Sequence, residues 1–285
     1  MINITSAQQK FVDFLKGQKR ASATILAYGN DIAQLEAFLA GKGISQVSAI
    51  NQDLLNEFKA KLDKDSYTAK SISRKINSIK TFFRFLKSQE LIKVDPATSV
   101  THPKYEIKPP RIFSKIEYRA LRDVCRDDSR ISAIVELMLQ TGIRIGELAN
   151  LRLEDNKDDG IFIYAYESHA ERTIPLNKSA KTALDKYLSQ RPSNSKEKAI
   201  FVTKTGRPFL VRNIRSAIER YFRQAEIKNV KVNDLRHTWI FYQLEAGVSV
   251  AAIAKLAGHK RVSTTEKYLE LIGNKKEQAT KLEEL

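Results

Sequence analysis

The sequence holds a single cysteine, Cys125, one tryptophan, two methionines and four histidines in 285 residues. One cysteine excludes an intrachain disulfide and suits a reducing, cytoplasmic setting. The histidines, His102, His169, His237 and His259, lie far apart. No HExxH, CxxC or clustered Asp/Glu pattern accompanies them, so no metal site is expected. There is no GxxxxGK[ST] loop to cradle nucleotide phosphates and no GxSxG turn to present a serine nucleophile. No apolar run approaches the roughly 20 residues that span a bilayer. The opening MINITSAQQKFVDFL lacks the basic start and continuous apolar block of a secretory signal.

What is abundant is positive charge. Lys and Arg total 49 against 33 Asp and Glu, a net charge of +16. Hydrophobic residues at 42% and charged residues at 29% are ordinary for a folded chain and argue against disorder. A protein of this charge is suited to a polyanion, because each phosphate it neutralises releases condensed counterions. The cations are spread along the chain rather than gathered in a polybasic tail, which argues against a membrane surface as the partner.

Two halves are expected, 1–100 and 112–285, joined by a linker at 101–111 where Pro103, Pro109 and Pro110 oppose helix continuation. The first half reads as helical. In SATILAYGNDIAQLEAFLAGKG, Ile25, Tyr28, Ile32, Leu35 and Leu39 recur at a helical period, with Ser22 as the expected N-cap and Gly41 and Gly43 at the end. SISRKINSIKTFFRFLKSQE carries an apolar stripe, Ile72, Ile76, Ile79, Phe83 and Leu86. A neighbouring stripe holds Ser73, Asn77, Lys80, Arg84 and Lys87. That second stripe suits either solvent or a phosphate backbone, with Lys80, Arg84 and Lys87 as candidate DNA contacts. The second half mixes helices with a hairpin in DGIFIYAYESHAERTIPLN, where Ile161, Ile163 and Ala165 alternate with Phe162, Tyr164 and Tyr166 and RTIPL returns. The fold class is therefore mainly α, or α+β with a small antiparallel sheet.

The residues able to do chemistry are scattered. TGIRIGEL places Arg144 just after Gly142 and one turn before Glu147; LRHTW places Arg236 and His237 at a helix start; LAGHKRVSTTEKYLEL places His259 after Gly258 and Tyr268 inside the next helix. Ser263 and Glu266 have the spacing of a capping box. Singly, each has a structural explanation, such as a surface i,i+3 ion pair for Arg144 and Glu147.

In this order, TGIRIGEL…LRHTW…GHKRVSTTEKY resembles the tyrosine recombinase (phage integrase) family, especially compact Xer-like members, over nearly the whole chain. The resemblance implies a helical core-binding domain at 1–100 and a catalytic domain at 112–285. It implies a site-specific DNA recombinase that cuts and rejoins DNA through a 3′-phosphotyrosine, without metal, ATP or other cofactor. Tyr268 matches the nucleophile, Arg144 and Arg236 the phosphate-binding arginines, and His259 the second histidine. Glu147 matches a residue that orients Arg144, and His237 reads as a structural hydrogen-bonding residue. The partners implied are double-stranded recombination sites and other copies of the chain, as dimers and a tetrameric synapse, with the segment after Tyr268 docking on a neighbour.

Two positions depart from the family's pattern. Asn233 stands where the family carries its first histidine; it can hydrogen-bond a phosphate oxygen but cannot act as a base. The hairpin lacks the family's lysine. Alignment puts Glu167 there, and His169 is the nearest titratable donor for the leaving 5′ oxygen, with Arg172 on the return strand. These departures leave open a relative that clamps DNA but cuts it poorly. A topoisomerase-like enzyme of type IB shares the tyrosine chemistry but fits the compact N-terminal half less well.

Overall fold

The computed structural model describes residues 2–106, 108–158, 160–165, 170–192 and 197–280, excepting the side chains of 274–280. The Tyr166, Glu167 and His169 expectations lie outside the described residues. The chain forms two compact units, Met1–Ile107 and Lys108–Leu285. Among the described residues no helix is long and apolar enough to cross a membrane.

The first unit is helical: α1 (Ile4–Gly17), α2 (Ser22–Ala40), α3 (Gln52–Lys64) and α4 (Ala69–Ser88). Side chains of Asn3, Asn51 and Thr68 accept from the amides of Ser6, Leu54 and Ser71, capping α1, α3 and α4. Helix α2 departs from expectation. Ser22 is its first helical residue, and the cap position falls to Ala21, which has no side-chain oxygen to offer. The apolar stripes of α2 and α4 meet as the helical period requires, with Ile32, Leu35, Leu39, Ile72, Ile76, Ile79, Phe83 and Leu86 all buried. Phe11 of α1 packs edge-on to Phe82 of α4, ring centres 5.4 Å apart.

One buried carboxylate ties α2 to α4. Asp31, 2% exposed, accepts two bonds from Arg74 at 2.6 and 2.9 Å, one from Lys75 at 3.0 Å and one from Ser78 at 2.7 Å. Four donors on two oxygens satisfy a charge that would otherwise be too costly to bury.

The second unit runs α5 (Lys115–Cys125), α6 (Ser129–Thr141), α7 (Ile145–Ala149), β1 (Asn156–Lys157), β2 (Gly160–Ile163), β3 (Arg172–Ile174), α8 (Lys178–Gln190), α9 (Val211–Gln224), α10 (Asn233–Glu245), α11 (Val250–Ala257) and α12 (Ser263–Thr280). The strands form an antiparallel sheet in sequence order, with Ile161 opposite Ile174 and Ile163 opposite Arg172. The hairpin is shorter than its apolar alternation suggests. Strand β2 ends at Ile163, and Tyr164 is 55% exposed. Helices α6 and α10 pack together, and Trp239 of α10 lies where α6 ends. Gly142 closes α6 with φ +63°; a Cβ there would lie 2.2 Å from the indole, so only glycine allows both the turn and the contact.

Replacing the carboxylate hub tests this account of the first unit. Asp31→Ala leaves buried Lys75 without its counter-charge and is expected to cost about 3–5 kcal/mol in urea denaturation. A loss below about 1 kcal/mol would show that the hub contributes little.

Candidate active site

The site is built on the end of α11. Its sequence, VAAIAKLA, is rich in small residues, and Ala254 and Ala257 are buried, so neighbouring elements approach closely. Gly258 ends it in the left-handed region, φ +64°. A helix end leaves its last carbonyls without intrahelical donors and carries partial negative charge. Three arginines from three other elements converge on them. Arg172 of β3 donates Nε to the Leu256 carbonyl at 2.7 Å. Arg144, leading into α7, donates Nη1 to Ala257 at 3.0 Å and Nη2 to Gly258 at 2.9 Å. Arg236 of α10 donates Nη2 to the same Ala257 oxygen at 2.7 Å, and Nη1 to the Gly142 carbonyl.

Cations gathered this closely need an anion, and Glu147 supplies it. Its Oε1 accepts from Arg144 Nη1 and Arg172 Nη1, both at 3.0 Å, and its Oε2 from Arg172 Nη2 at 2.7 Å and the Arg144 amide at 3.1 Å. Burial alone would raise this carboxyl. The Arg172 hydrogen bonds and charge, with the Arg144 amide and guanidinium, outweigh it and hold Glu147 below the usual carboxylate range. Gly258 is fitted to the same cluster, since a Cβ on it would lie 2.8 Å from Arg172 Nη1.

Arg236 is 3% exposed. Burial, and then the like charge of Arg144, push its guanidinium down from its ordinary value. An anion between the two arginines would relieve both effects, which is the electrostatic character expected of an oxyanion site. Tyr268 of α12 is 5% exposed, and burial, seconded by Asp234 against the pull of Arg236, pushes its hydroxyl up to about 12. It is neutral at pH 7. Its Oη lies 2.5 Å from His237 Nδ1, and His237 Nε2 lies 2.7 Å from Asn233 Nδ2. His259 Nδ1 pairs with the Thr265 hydroxyl at 2.7 Å, which steadies the ring just beyond Gly258. A cleft of about 630 Å³ opens beside the end of α11, lined in part by Arg172, Gly258, His259 and Lys260.

Residues 111–274 match the Phage integrase family, and residues 9–90 match its N-terminal SAM-like domain. The chain belongs to the phage integrase family. Among its relatives is the tyrosine recombinase XerC of Natranaerobius thermophilus, 31% identical over 90% of this chain and 91% of that protein. The fold is shared with a Tn1549 transposon integrase bound to a circular intermediate DNA, with a TM-score of 0.79 at 15% identity over 98% of this chain and all of that one. It is also shared with a lambda integrase tetramer bound to a Holliday junction, with a TM-score of 0.75 at 17% identity over 92% and 78% of the two chains.

The structure brings Arg144, Glu147, Asn233, Arg236, His237, His259 and Tyr268 into one neighbourhood of the second unit. Lys80, Arg84 and Lys87 belong to α4 of the first unit. Arg84 and Lys87 are exposed, whereas Lys80 donates to the Thr98 carbonyl at 3.2 Å. Ser73, on the same sequence stripe, turns inward to His102 Nδ1 at 3.1 Å. The capping box at Ser263 is not formed as expected. Ser263 is already helical, and the amides of Thr264, Thr265 and Glu266 go to carbonyls of Arg261 and Val262. The sequence places Arg172 on the return strand of the hairpin, but motif reading misses its part in this cluster. Its signal is alternation: it shares the buried side of β3 with Ile174 while Thr173 between them is exposed, an unusual place for an arginine unless paired. Among the described residues no three His, Cys, Asp or Glu side chains group as a metal site would require.

Glu147→Gln probes the cluster through pH. Glu147 has a lowered folded-state pKa, so its stabilisation is present above the unfolded value near 4.5 and is lost as pH falls through the folded value. The variant is expected to be less stable by about 3 kcal/mol at pH 7 and to approach the parent as both are acidified. Parallel urea curves with a constant gap from pH 7 to pH 3 would contradict the assignment.

Proposed function

We propose that this site cuts and rejoins DNA by attack of Tyr268 on a backbone phosphate. The chain is a tyrosine-type site-specific DNA recombinase. The observation that carries the reading is the shared Ala257 carbonyl. One oxygen accepts from both Arg144 and Arg236, so two fixed guanidiniums stand side by side, with Tyr268 close enough to Arg236 to feel its charge.

Attack by the tyrosine oxygen forms a 3′-phosphotyrosine and releases a 5′ hydroxyl, so the bond energy stays in the covalent link and no nucleotide is consumed. Charge grows on the two non-bridging oxygens in the transition state. Arg144 and Arg236 offer planar, always-charged donors for it, already oriented by Glu147 and by backbone carbonyls. His259 adds a hydrogen bond to the same phosphate. His169 is proposed, from its place in the hairpin sequence, to protonate the leaving 5′ oxygen. No feature of the described site favours a relative that binds DNA without cutting it.

The DNA is double-stranded, and α4 meets its backbone through Arg84 and Lys87. The lambda integrase relative assembles as a tetramer on a Holliday junction; by analogy this chain pairs as dimers and synapses two sites as a tetramer. A cytoplasmic setting suits both DNA access and the buried, unpaired thiol of Cys125.

Incubation with DNA flanking its own coding sequence tests the reading. The native chain is expected to form a covalent protein–DNA adduct, and Tyr268→Phe none. Arg236→Ala is expected to lower the cleavage rate at least about 10²-fold. Adduct formation by Tyr268→Phe, or undiminished cleavage by Arg236→Ala, would overturn the assignment.

A further inference from the structure

A buried tyrosine whose hydroxyl holds its proton at neutral pH must lose that proton as it attacks. Asn233, at the position where the family carries its first histidine, has no basic atom. The group that faces the nucleophile's oxygen is instead His237, one helical turn further along α10. Its Nδ1 lies 2.5 Å from Tyr268 Oη, the two rings are 5.9 Å apart, and the opposite nitrogen, Nε2, lies 2.7 Å from the Asn233 amide. Asn233, His237 and Tyr268 thus form a short relay from the exposed start of α10 to the buried phenol.

We propose that His237 takes the proton of Tyr268 as its oxygen attacks phosphorus, and that the Asn233 amide selects the ring tautomer that permits this. The proposal rests on the reading of Tyr268 as nucleophile. A neutral imidazole donates from one nitrogen and accepts at the other. With Asn233 Nδ2 turned toward Nε2, the amide donates there, the ring proton sits on Nδ1, and Nδ1 donates to Oη. With the amide turned over, Oδ1 accepts from Nε2–H, and Nδ1 is left to accept from the tyrosine. The two amide orientations occupy nearly the same space, so one rotation of an exposed side chain exchanges a resting pairing for a reactive one.

In the reactive pairing the bookkeeping closes. The Oη–H bond breaks and its proton moves to Nδ1. A lone pair of Oη forms the bond to phosphorus, and the P–O5′ bond breaks with its pair on the 5′ oxygen, which takes its proton from the general acid proposed above. Rejoining reverses each transfer: the incoming 5′ hydroxyl gives its proton back to that acid, the P–Oη pair returns to Oη, and the His237 imidazolium returns its proton there.

The electrostatics suit the role. Burial, and then Arg236, lower the His237 pKa from its ordinary value while Asp234 opposes them, so the ring is neutral at pH 7 and able to accept. Tyr268 is the titratable group facing it from α12. Helices α6 and α11 also pack on α10, and none of the charges acting on the ring come from their described residues.

The test is single-turnover cleavage of a nicked duplex, carrying either the ordinary 5′ oxygen or a 5′-bridging sulfur at the scissile phosphate. Sulfur leaves without a proton, so it rescues a missing acid but not a missing base. His237→Ala is expected to slow cleavage about 10²-fold or more on both substrates, with added imidazole restoring part of the rate. His237→Asn keeps a hydrogen-bonding group at the position but cannot carry the proton, and should show the same loss while binding DNA as the parent does. The parent's rate should fall on acidification through a pKa below 6.5. Asn233→Asp, which places a carboxylate against Nε2, should move that limb to higher pH. Native rates for His237→Asn, or full recovery of His237→Ala on the sulfur substrate, would overturn the inference while leaving the nucleophile intact. A covalent adduct formed by Tyr268→Phe would instead remove the nucleophile reading itself.

Discussion

The arginine cluster of the site hangs from the negatively polarised end of one eight-residue helix. The last carbonyls of α11 accept from Arg144, Arg172 and Arg236, which arrive from the entrance of α7, from β3 and from α10. Three guanidiniums could not be brought together in a protein interior by burial alone, because their mutual repulsion and lost hydration oppose it. Backbone oxygens and one carboxylate, Glu147, make the arrangement stable before any ligand arrives. The result is a rigid pair of cations, Arg144 and Arg236, whose fork geometry is set in advance. Preorganisation of this kind is what lets a charged site stabilise a transition state without reorganising during the reaction.

The same constraint explains which neighbours are small. Gly258 turns the chain out of α11 and leaves room for Arg172; Gly142 turns it out of α6, packs against Trp239 and offers its carbonyl to Arg236. Both glycines therefore do two things, reversing the chain direction with positive φ and admitting a large side chain at contact distance. The first unit solves its own charge problem in mirror image. There a single acid, Asp31, is enclosed by donors from α4, whereas here arginines are enclosed by acceptors.

Much of this was legible in the residue order. Helical periodicity in SATILAYGNDIAQLEAFL and SISRKINSIKTFFRFLKSQE marks the buried faces of α2 and α4, since the faces are continuous and long enough to dominate local preferences. The strong glycine stops at 142 and 258 mark two helix ends. Details that depend on a single hydrogen bond were less visible. Ser22 and Ser263 both have the chemistry of a cap, yet each sits one residue inside its helix, because where a helix begins is set by what precedes it as much as by the cap residue. The pairing of the inward arginine of β3 was hidden for a different reason. Its partners, Glu147 and the Leu256 carbonyl, lie 25 positions before it and 84 after it, and no local pattern carries that information.

Asn233 illustrates how position and contact diverge. Read along the chain, it marks the loss of an imidazole from a reactive motif. In the fold, residue 233 touches the far nitrogen of His237, and it is His237 that touches the tyrosine oxygen. An imidazole at 233 would begin one helical turn from His237, the residue whose ring touches Tyr268 Oη. What the asparagine changes is therefore the protonation of the ring in front of it, because an amide can present either a donor or an acceptor at nearly equal cost. A histidine there would present one or the other according to its own tautomer, and would add a second titrating group to a site already crowded with cations. Asparagine keeps the hydrogen bond and leaves His237 as the one ring that titrates beside the tyrosine oxygen.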